Sequence, residues 1–334
     1  MGQVNFPAGK LPPVFLSRML KQFRNSDPQV LIGPALGEDA AVLKIGGKMV
    51  AVAVDPVTFL SKEAGFYAVV VNANDIATRG ARPRWFLCSA LFPEKRSSPS
   101  LIKKIFSEVE RSCRLFGVSS IGGHTEITSS VTRPVLTGIM LGEVLGKKAL
   151  STSGVCPGDD IILTKSAALE AASVIAREKK SRVQSKFGAA FARQCEKLIE
   201  NIGVVKEALA AYQVGNVHAM HDPTEGGLSS GLYEMAEASR VRIEIEEEKI
   251  PVLECVRRLL DFYGLNALGA LSSGALLIAS PPQSSGKIVA QLSRLKIPAV
   301  VIGRAFRGKG VLLKKGKRQK EFPRFSRDEI ARFL

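Results

Sequence analysis

The fold and function of this chain are indicated most directly by one stretch, Asn74-Asp75-Ile76-Ala77-Thr78-Arg79-Gly80-Ala81-Arg82-Pro83. The preceding residues 65–73 carry apolar side chains at helical spacing, which places Asp75 in the last turns of an apolar helix. Gly80 is expected to end this helix, and Pro83 prevents it from resuming. Because burying a lone carboxylate is costly, Asp75 should have a cation or a hydrogen-bond partner. A solvated Asp at a helix C-terminus is the structural alternative.

Three further segments, which we expect to be turns, combine carboxylates with glycines. They are Gly37-Glu38-Asp39-Ala40-Ala41-Val42, Gly122-Gly123-His124-Thr125-Glu126 and His221-Asp222-Pro223-Thr224-Glu225-Gly226-Gly227-Leu228. Carboxylate oxygens from separate loops are ligands that Mg²⁺ prefers, together with substrate phosphates. Glycine pairs let backbone N–H groups approach phosphate oxygens, most effectively at the start of a helix. The four segments together predict a site for Mg²⁺ and a phosphate-bearing ligand.

In this order the segments resemble the motifs of the PurM-like superfamily, which is named after aminoimidazole ribonucleotide (AIR) synthetase. Within it, the resemblance is strongest to the HypE-like hydrogenase expression/formation proteins. Further blocks at Asp55, Gly154–Lys165 and Leu271–Ile278 also fit. The resemblance implies an α+β fold with two domains. Residues 1–150 would form an N-terminal AIR synthase-related domain that binds ATP and pairs its sheet with that of a second copy. Residues 151–334 would form the C-terminal AIR synthase-related domain, with a basic tail.

The resemblance also implies that ATP and Mg²⁺ are the cofactors, and it assigns roles to individual residues. The predicted metal ligands are Asp39, Asp55, Asp75 and Glu126. The predicted catalytic residues are Asp222, His124 and Lys10. The residues predicted to bind the cofactor are Gly37, Asp39, Asn74, Asp75, Gly122, Gly123, Thr125, Gly226 and Gly227. Each aspartate could instead be an ordinary loop or capping residue, Asp222 as the N-cap of the next helix, and Lys10 could be a solvated lysine.

Position 124 departs from the family motif, in which thiamine-monophosphate kinases and many HypE proteins carry Asp and the synthetase carries Glu. His124 occupies the position here, and Glu126 follows two residues later. In an extended segment the two side chains point the same way, so Glu126 is the predicted replacement for the missing carboxylate. His124 would then contact phosphate directly or be purely structural. The substitution disfavours a thiamine-monophosphate kinase.

The implied reaction is ATP-dependent activation, by phosphorylation, of an oxygen on a small or protein-borne substrate. A thiamine-monophosphate kinase-like or AIR synthetase-like enzyme is the catalytic alternative. A nucleotide-binding scaffold or maturation accessory protein is the non-enzymatic alternative. HypE itself uses a terminal cysteine, whereas the last cysteine of this sequence is Cys255. We therefore expect the self-modifying HypE reaction to be absent.

Composition limits the class of protein further. A net charge of +16 attracts phosphates, but the densest basic run, residues 314–320, has no aromatic residues on which bases could stack. We expect this run to be a solvated hairpin or tail, and we expect no nucleic-acid partner. No segment reaches the roughly 18 apolar residues of a membrane helix, and residues 1–15 lack a secretory apolar core. A cytoplasmic protein with no membrane partner is expected.

The five cysteines are Cys88, Cys113, Cys156, Cys195 and Cys255. They are dispersed and show no C-x-x-C spacing. This pattern predicts reduced thiols, most of them small core residues, and indicates neither a zinc motif nor a disulfide framework.

The apolar periodicity also predicts individual elements along the chain. We expect a helix over residues 62–79, a strand around Trp85–Leu91 and a strand over Val135–Val144. We expect residues 185–213 to be helical with one break at Asn201–Gly203.

Overall fold

The structure is a computed structural model that describes residues 6, 9–23, 26–58 and 63–332. The helix predicted over residues 62–79 begins at Ala64, and residue 62 lies outside the described residues. The chain forms two compact units. The N-terminal unit contains Asp27–Gly33 and Asp39–Leu150, and the C-terminal unit contains Met1–Ser26, Pro34–Glu38 and Ser151–Leu334. Among the helices in the described ranges, none combines the length and the apolar character needed to cross a bilayer.

The helices and strands are numbered in chain order. Helix α1 (Pro13–Leu20) belongs to the C-terminal unit. The elements of the N-terminal unit are β1 (Val30–Ile32), β2 (Ala40–Ile45), β3 (Lys48–Val57), α2 (Ala64–Thr78), β4 (Ala81–Pro93), α3 (Pro99–Phe116), β5 (Ser119–Thr128) and β6 (Val135–Val144).

The remaining elements belong to the C-terminal unit. They are β7 (Asp160–Thr164), α4 (Leu169–Glu178), α5 (Lys180–Phe187), α6 (Ala189–Glu196), α7 (Val205–Val214), β8 (Ala219–His221), α8 (Gly227–Ser239), β9 (Val241–Glu246), α9 (Glu254–Tyr263), β10 (Leu277–Ser280), α10 (Pro282–Arg294), β11 (Ala299–Arg307), β12 (Gly310–Lys315) and β13 (Arg318–Glu321). Short 3₁₀ turns span Thr152–Gly154, Lys197–Asn201, Glu247–Lys249 and Glu329–Arg332. The predicted α+β class is confirmed.

The described strands of the N-terminal unit form one sheet in the order β1-β2-β3-β6-β4-β5, in which only β4 and β5 are parallel neighbours. Helix α2 packs across β3, β6 and β4, and α3 packs on α2. Small residues on β6 let α2 lie close to the sheet. A Cβ at Gly138 would lie 2.4 Å from Asn72 Nδ2, and one at Gly142 would lie 2.3 Å from Ile76 Cγ2. The predicted helix end before Gly80 is confirmed.

The other face of this sheet is also apolar. Val52 pairs with Leu141 and Val54 pairs with Ile139 on neighbouring strands, and Ile139 pairs in turn with Leu87. Four of these five residues are part-buried, and Val54 is 58% exposed. An apolar strip on a sheet face is stabilised when another surface covers it, because covering removes apolar area from water.

The described strands of the C-terminal unit form a sheet in the order β13-β12-β9-β11-β7-β10-β8. Only β12 and β9 run parallel among its neighbouring pairs. Helix α8 packs on β9 and β12, where Leu228, Leu232 and Met235 join the apolar side chains of the sheet in one core. Strand β8 ends at His221 and α8 begins at Gly227, so the two elements frame the segment that carries Asp222.

Two local predictions in this unit have different outcomes. The basic run was expected to be a hairpin or tail, and β12 and β13 do form an antiparallel hairpin in which Lys315 pairs with Arg318. Residues 185–213 were expected to be helical with one break at 201–203, which is wrong in one respect. A second break occurs at Gly188, whose φ of +89° cannot continue a helix, so α5 and α6 are separate.

Candidate functional site

Two of the predicted metal ligands lie side by side in the N-terminal unit. Asp39 directly precedes β2, and Asp75 lies near the end of α2, where only 2% of the residue is exposed. One carboxylate oxygen of Asp39 and one of Asp75 lie within 4.8 Å of each other. Carboxylate oxygens from two elements at this spacing fit a hard divalent cation such as Mg²⁺. The pair therefore fits the metal that the sequence implies.

Asp55, the third aspartate predicted for the metal, lies on β3 and is part-buried. Asn72 on α2 fixes the backbone at this position. Its Oδ1 accepts the N–H of Asp55 at 3.0 Å, and its Nδ2 donates to the carbonyl of Asp55 at 3.4 Å. Asn74, predicted to bind the cofactor, is fully buried on the same helix. Helix α2 thus carries Asn74 and Asp75 and also positions Asp55.

The Gly122–Glu126 motif was predicted to be a turn, and this is wrong, because it lies within strand β5. Gly123 is required there, since a Cβ would lie 2.0 Å from the carbonyl oxygen of Cys88 on β4. Residues 122–125 are exposed, as is Glu126. His124 Nε2 lies 3.5 Å from Glu126 Oε2, so the prediction that the two side chains point the same way is confirmed. Thr125 lies between them on the strand.

This motif also borders a pocket within the N-terminal unit. The pocket has a volume of about 260 Å³, and Gly122, Gly123, His124 and Thr125 line one side of it. Phe106 of α3 lines it as well. The exposed polar edge of β5 is therefore next to a concavity of modest size.

The predicted catalytic residues Asp222 and Lys10 both belong to the C-terminal unit. Asp222 follows β8 and is 2% exposed. It is not the N-cap of the next helix, because α8 begins at Gly227 and its N-cap is Gly226. The capping alternative considered for Asp222 is therefore wrong. Its neighbour His221 is equally buried and contacts Glu234 Oε2 of α8 through Nε2 at 2.8 Å.

Lys10 lies against the segment that follows Asp222. Its Nζ donates to Thr224 Oγ1 at 3.4 Å and lies 3.8 Å from Glu234 Oε1, and its backbone N–H donates to Glu225 Oε1 at 3.1 Å. Gly37 lies close to the same helix, since a Cβ added to it would be 3.4 Å from Glu234 Cβ. Glu234 thus links Lys10, His221 and Gly37 within this unit.

The glycine pair before α8 is packed tightly. Gly226 N–H donates to Asp328 Oδ2 at 2.7 Å, and Gly227 N–H donates to the carbonyl of Thr224 at 3.0 Å. A Cβ on Gly227 would lie 2.6 Å from the carbonyl oxygen of Ala270. Both amides have protein partners, so the cofactor-binding role of this pair stays a prediction.

Asp328 anchors this turn from the C-terminal segment. Besides Gly226, its carboxylate accepts the N–H groups of Leu271 at 3.3 Å and Ile330 at 3.0 Å. Burial outweighs these hydrogen bonds and raises the pKa of Asp328 to about 6. Burial likewise raises the pKa of Glu170, at the start of α4, to about 7, and the Asp328 charge raises it further, against a hydrogen bond from Ser273 that lowers it.

Sequence reasoning missed Glu234, Asn72 and Asp328 as residues that position the predicted site. Asn72 could have been found, because it is a polar residue inside an otherwise apolar helical pattern. Glu234 and Asp328 were assigned no role from the sequence. Their partners lie far from them in the sequence and come together only in the folded unit.

Family models match both halves of the chain. The model described as AIR synthase related protein, N-terminal domain, matches residues 37–144, and the corresponding C-terminal domain model matches residues 156–314. Together they cover most of the chain, which therefore belongs to the AIR synthase-related family, with its PurM-like fold.

Individual relatives are similar over much of their length. Carbamoyl dehydratase HypE of Escherichia coli is 25% identical over 264 residues, which cover 78% of this chain and 75% of the relative. Thiamine-monophosphate kinase of Pyrococcus abyssi is 24% identical over 295 residues, which cover 86% of this chain and 88% of the relative. The crystal structure of hydrogenase maturation protein HypE in complex with ATP has a TM-score of 0.73 at 23% identity, covering 89% of this chain and 91% of that chain.

Proposed function

We propose that this protein is an ATP- and Mg²⁺-dependent enzyme that activates an oxygen atom of a small or protein-borne substrate by phosphorylating it. The observation that carries the proposal is the approach of Asp39 and Asp75 within 4.8 Å in a family member that matches both AIR synthase-related domains. A similar fold has been crystallised with ATP, and one relative is named a kinase. The other relative is named a carbamoyl dehydratase, and phosphorylating a carbamoyl oxygen would let that oxygen leave as phosphate during dehydration.

Each predicted residue has a defined task in this proposal. Asp39 and Asp75, with Asp55, would hold Mg²⁺ on one side of the phosphates, and Glu126, which lies three strands from Asp55 in the same sheet, would hold Mg²⁺ at the other end of the site. The metal would neutralise charge on the phosphates, which is most of what phosphoryl transfer requires. Asn74, Gly122, Gly123 and Thr125 would line the nucleotide site, while the motif residues Gly37, Gly226 and Gly227 would shape the loops around it. Asp222 would orient the attacking oxygen.

His124 and Lys10 would contact phosphate oxygens in this account. His124 is exposed on β5, beside Glu126, where a phosphate group could reach both its ring and a metal held by the carboxylate. Lys10 is a long, partly exposed cation whose contacts to Thr224 and Glu234 are long enough to exchange for a phosphate oxygen.

We further propose that the protein is a homodimer. The part-buried apolar face formed by β3, β6 and β4 would pair with the same face of a second copy, and a two-fold pairing of identical patches closes on itself. The exposed edge of β5, with Ile121 and Ile127 each more than half exposed, would be covered as well. Dimerisation would support the ATP site through β5.

The proposal is tested by measuring ADP formation and phosphotransfer with Mg²⁺ across a set of acceptors. The set contains thiamine monophosphate, a carbamoylated cysteine peptide and a formamide-bearing ribonucleotide, and Asp75→Asn serves as the inactive control. Acceptor-dependent ADP formation by the wild type alone supports an enzyme. Tight binding of Mg²⁺ and ATP without ADP formation from any acceptor would favour the nucleotide-binding scaffold instead. Phosphorylation of thiamine monophosphate would favour the kinase-like alternative.

A further inference from the structure

A second cluster of potential ligands lies in the C-terminal unit, among residues that the proposed ATP-dependent reaction does not use. Cys156, Asp159 and His218 each present one potential ligand atom, and these three atoms lie within 4.8 Å of one another. The residues come from two segments: Cys156 and Asp159 from the turn that leads into β7, and His218 from the residues just before β8. The spacing of the cysteines along the sequence gave no sign of this arrangement.

The turn that carries Cys156 and Asp159 is held in place at several points. The N–H of Cys156 donates to Asp159 Oδ2 at 2.8 Å, and the N–H of Asp159 donates to the carbonyl of Cys156 at 3.1 Å. Two further hydrogen bonds join the turn to Ala305. The N–H of Gly158 donates to the carbonyl of Ala305 at 2.8 Å, and the N–H of Ala305 donates to the carbonyl of Asp159 at 2.8 Å. These hydrogen bonds hold the turn against β11.

His218 is positioned equally well. Its backbone N–H donates to the carbonyl of Ala279 on β10 at 2.9 Å. A Cβ on Gly154 would lie 2.2 Å from the carbonyl oxygen of His218, so glycine at this position allows the two segments to lie in contact. The His218 Nδ1 atom lies 2.9 Å from both carboxylate oxygens of Asp159.

The burial of the three residues differs in a way that suits a metal site. Asp159 is 2% exposed, so its carboxylate is buried and aimed at the imidazole. The His218 side chain is one-third exposed, and Cys156 is exposed. A cation held here would have a buried carboxylate beneath it and solvent on the side of the thiol.

We propose that Cys156, Asp159 and His218 form a binding site for a thiophilic divalent transition metal of the Zn²⁺ class. Thiolate, imidazole and carboxylate are the donors that Zn²⁺ uses, and the thiolate distinguishes this set from the all-oxygen donors that suit Mg²⁺. Three protein ligands leave a fourth tetrahedral position for water. This site shares no residue with the predicted Mg²⁺ and ATP ligands, so it stands independently of the proposed reaction.

The geometry needs only a small adjustment to accept the ion. Zn–N, Zn–O and Zn–S distances of about 2.0–2.3 Å put neighbouring tetrahedral ligand atoms about 3.3–3.8 Å apart. The imidazole and the carboxylate are already closer than this, at 2.9 Å, and would separate slightly as the metal replaces the hydrogen bond between them. The Cys156 Sγ donates to the carbonyl of Gly154 at 3.5 Å. A thiol is a weak donor, so rotation of the exposed side chain can break this contact at little cost.

The site can be tested on the full-length protein, purified reduced and free of metal. Zn²⁺ affinity is measured by competition with a chromophoric chelator, and Co²⁺ is added to report on the ligands by its absorption. We expect one tightly bound equivalent of either metal and a thiolate-to-cobalt charge-transfer band in the near ultraviolet. Cys156→Ser should abolish that band and weaken Zn²⁺ binding at least tenfold, and His218→Gln should weaken it similarly.

Cys88→Ser is the matched control, because Cys88 lies on β4 in the other unit and burial raises the pKa of its thiol to about 11. This variant should keep the wild-type band and affinity. A second measurement needs no variant: bound Zn²⁺ should protect Cys156 of the wild type from alkylation, read by mass spectrometry. Co²⁺ binding without a thiolate band, unchanged affinity in Cys156→Ser, or unprotected Cys156 in the presence of Zn²⁺ would each overturn the proposal and leave Asp159 and His218 as a structural pair.

Discussion

The carboxylates of Asp39 and Asp75 lie within 4.8 Å of each other although Asp39 precedes a strand and Asp75 belongs to a buried helix. Two carboxylates at this distance repel each other in their charged forms, and the repulsion is stronger where water is excluded. A divalent cation between them would convert the repulsion into attraction. This arrangement is the physical basis for the proposed Mg²⁺ site.

The first prediction concerns Asp75→Asn, which removes a charged ligand while keeping the shape of the side chain. We expect Mg²⁺-dependent ATP affinity to fall more than tenfold, or by about 1.4 kcal/mol, when measured by calorimetry. The melting temperature of the protein without nucleotide should change little. The control is Asp261→Asn, which alters an exposed carboxylate on α9. A large loss of stability with unchanged nucleotide affinity would mark Asp75 as structural.

The second prediction concerns Glu126, which lies on β5 beside His124. If Glu126 replaces the carboxylate missing at position 124, Glu126→Gln should weaken Mg²⁺-dependent ATP binding about fivefold, because an exposed charge contributes about 1 kcal/mol. Glu110→Gln, which removes an exposed charge from α3 of the same unit, should leave the affinity unchanged. Equal affinities for the two variants would remove Glu126 from the metal site.

The third prediction concerns assembly. Val52→Lys places a charge on the apolar face of the sheet opposite α2, next to Leu141. We expect this variant to be monomeric or insoluble, and the monomer to bind ATP more weakly, as measured by sedimentation and calorimetry. Leu115→Lys changes a residue of α3 that is 70% exposed and should remain dimeric. A wild-type protein that is a stable and fully ATP-competent monomer at micromolar concentration would refute the dimer.

The fourth prediction concerns pH. The folded-state pKa of Asp328, about 6, lies above the ordinary value of 3.8, so the folded protein holds this proton more tightly than the unfolded chain. The stability associated with this proton is present at low pH and is lost as the pH rises from about 4 to about 6. Glu170 extends the loss toward pH 7, because its pKa is raised to about 7.

Asp328→Asn should therefore flatten the pH dependence of the melting temperature between about pH 4 and pH 6. The variant should also melt at a lower temperature throughout, because one amide oxygen replaces two carboxylate oxygens that accept three backbone N–H groups. Melting curves recorded across this range check both effects. Parallel profiles for variant and wild type would show that Asp328 does not contribute to the pH dependence.

The parts of the fold that could be predicted from sequence depend on local signals. The helix that carries Asp75 has apolar periodicity, and Gly80 and Pro83 mark its end, so α2 was predicted closely. The strand expected around Trp85–Leu91 is present but is longer, because β4 spans Ala81–Pro93. The strand at Val135–Val144 was predicted with its bounds, because apolar and small residues alternate along it. These signals do not need tertiary contacts in order to be recognised.

Other features depend on contacts between distant segments. Gly122 and Gly123 resemble a turn because glycine is depleted in strands, yet Gly123 belongs to β5 since only glycine fits against Cys88 of β4. Asp222 precedes Pro223 and so resembled an N-cap, but α8 begins only at Gly227 because the turn at Gly226 is held by Asp328. The pairing of Asp39 with Asp75 and of Asp159 with His218 likewise arises only on folding.

The central claim, that this family member binds ATP through a metal held by Asp39 and Asp75, is tested most directly by calorimetric titration of the wild-type protein with ATP. One titration contains Mg²⁺ and the other contains EDTA. We predict saturable binding of ATP with Mg²⁺, and clearly tighter binding with Mg²⁺ than with EDTA. The absence of any binding heat at millimolar ATP with Mg²⁺ present would contradict the account.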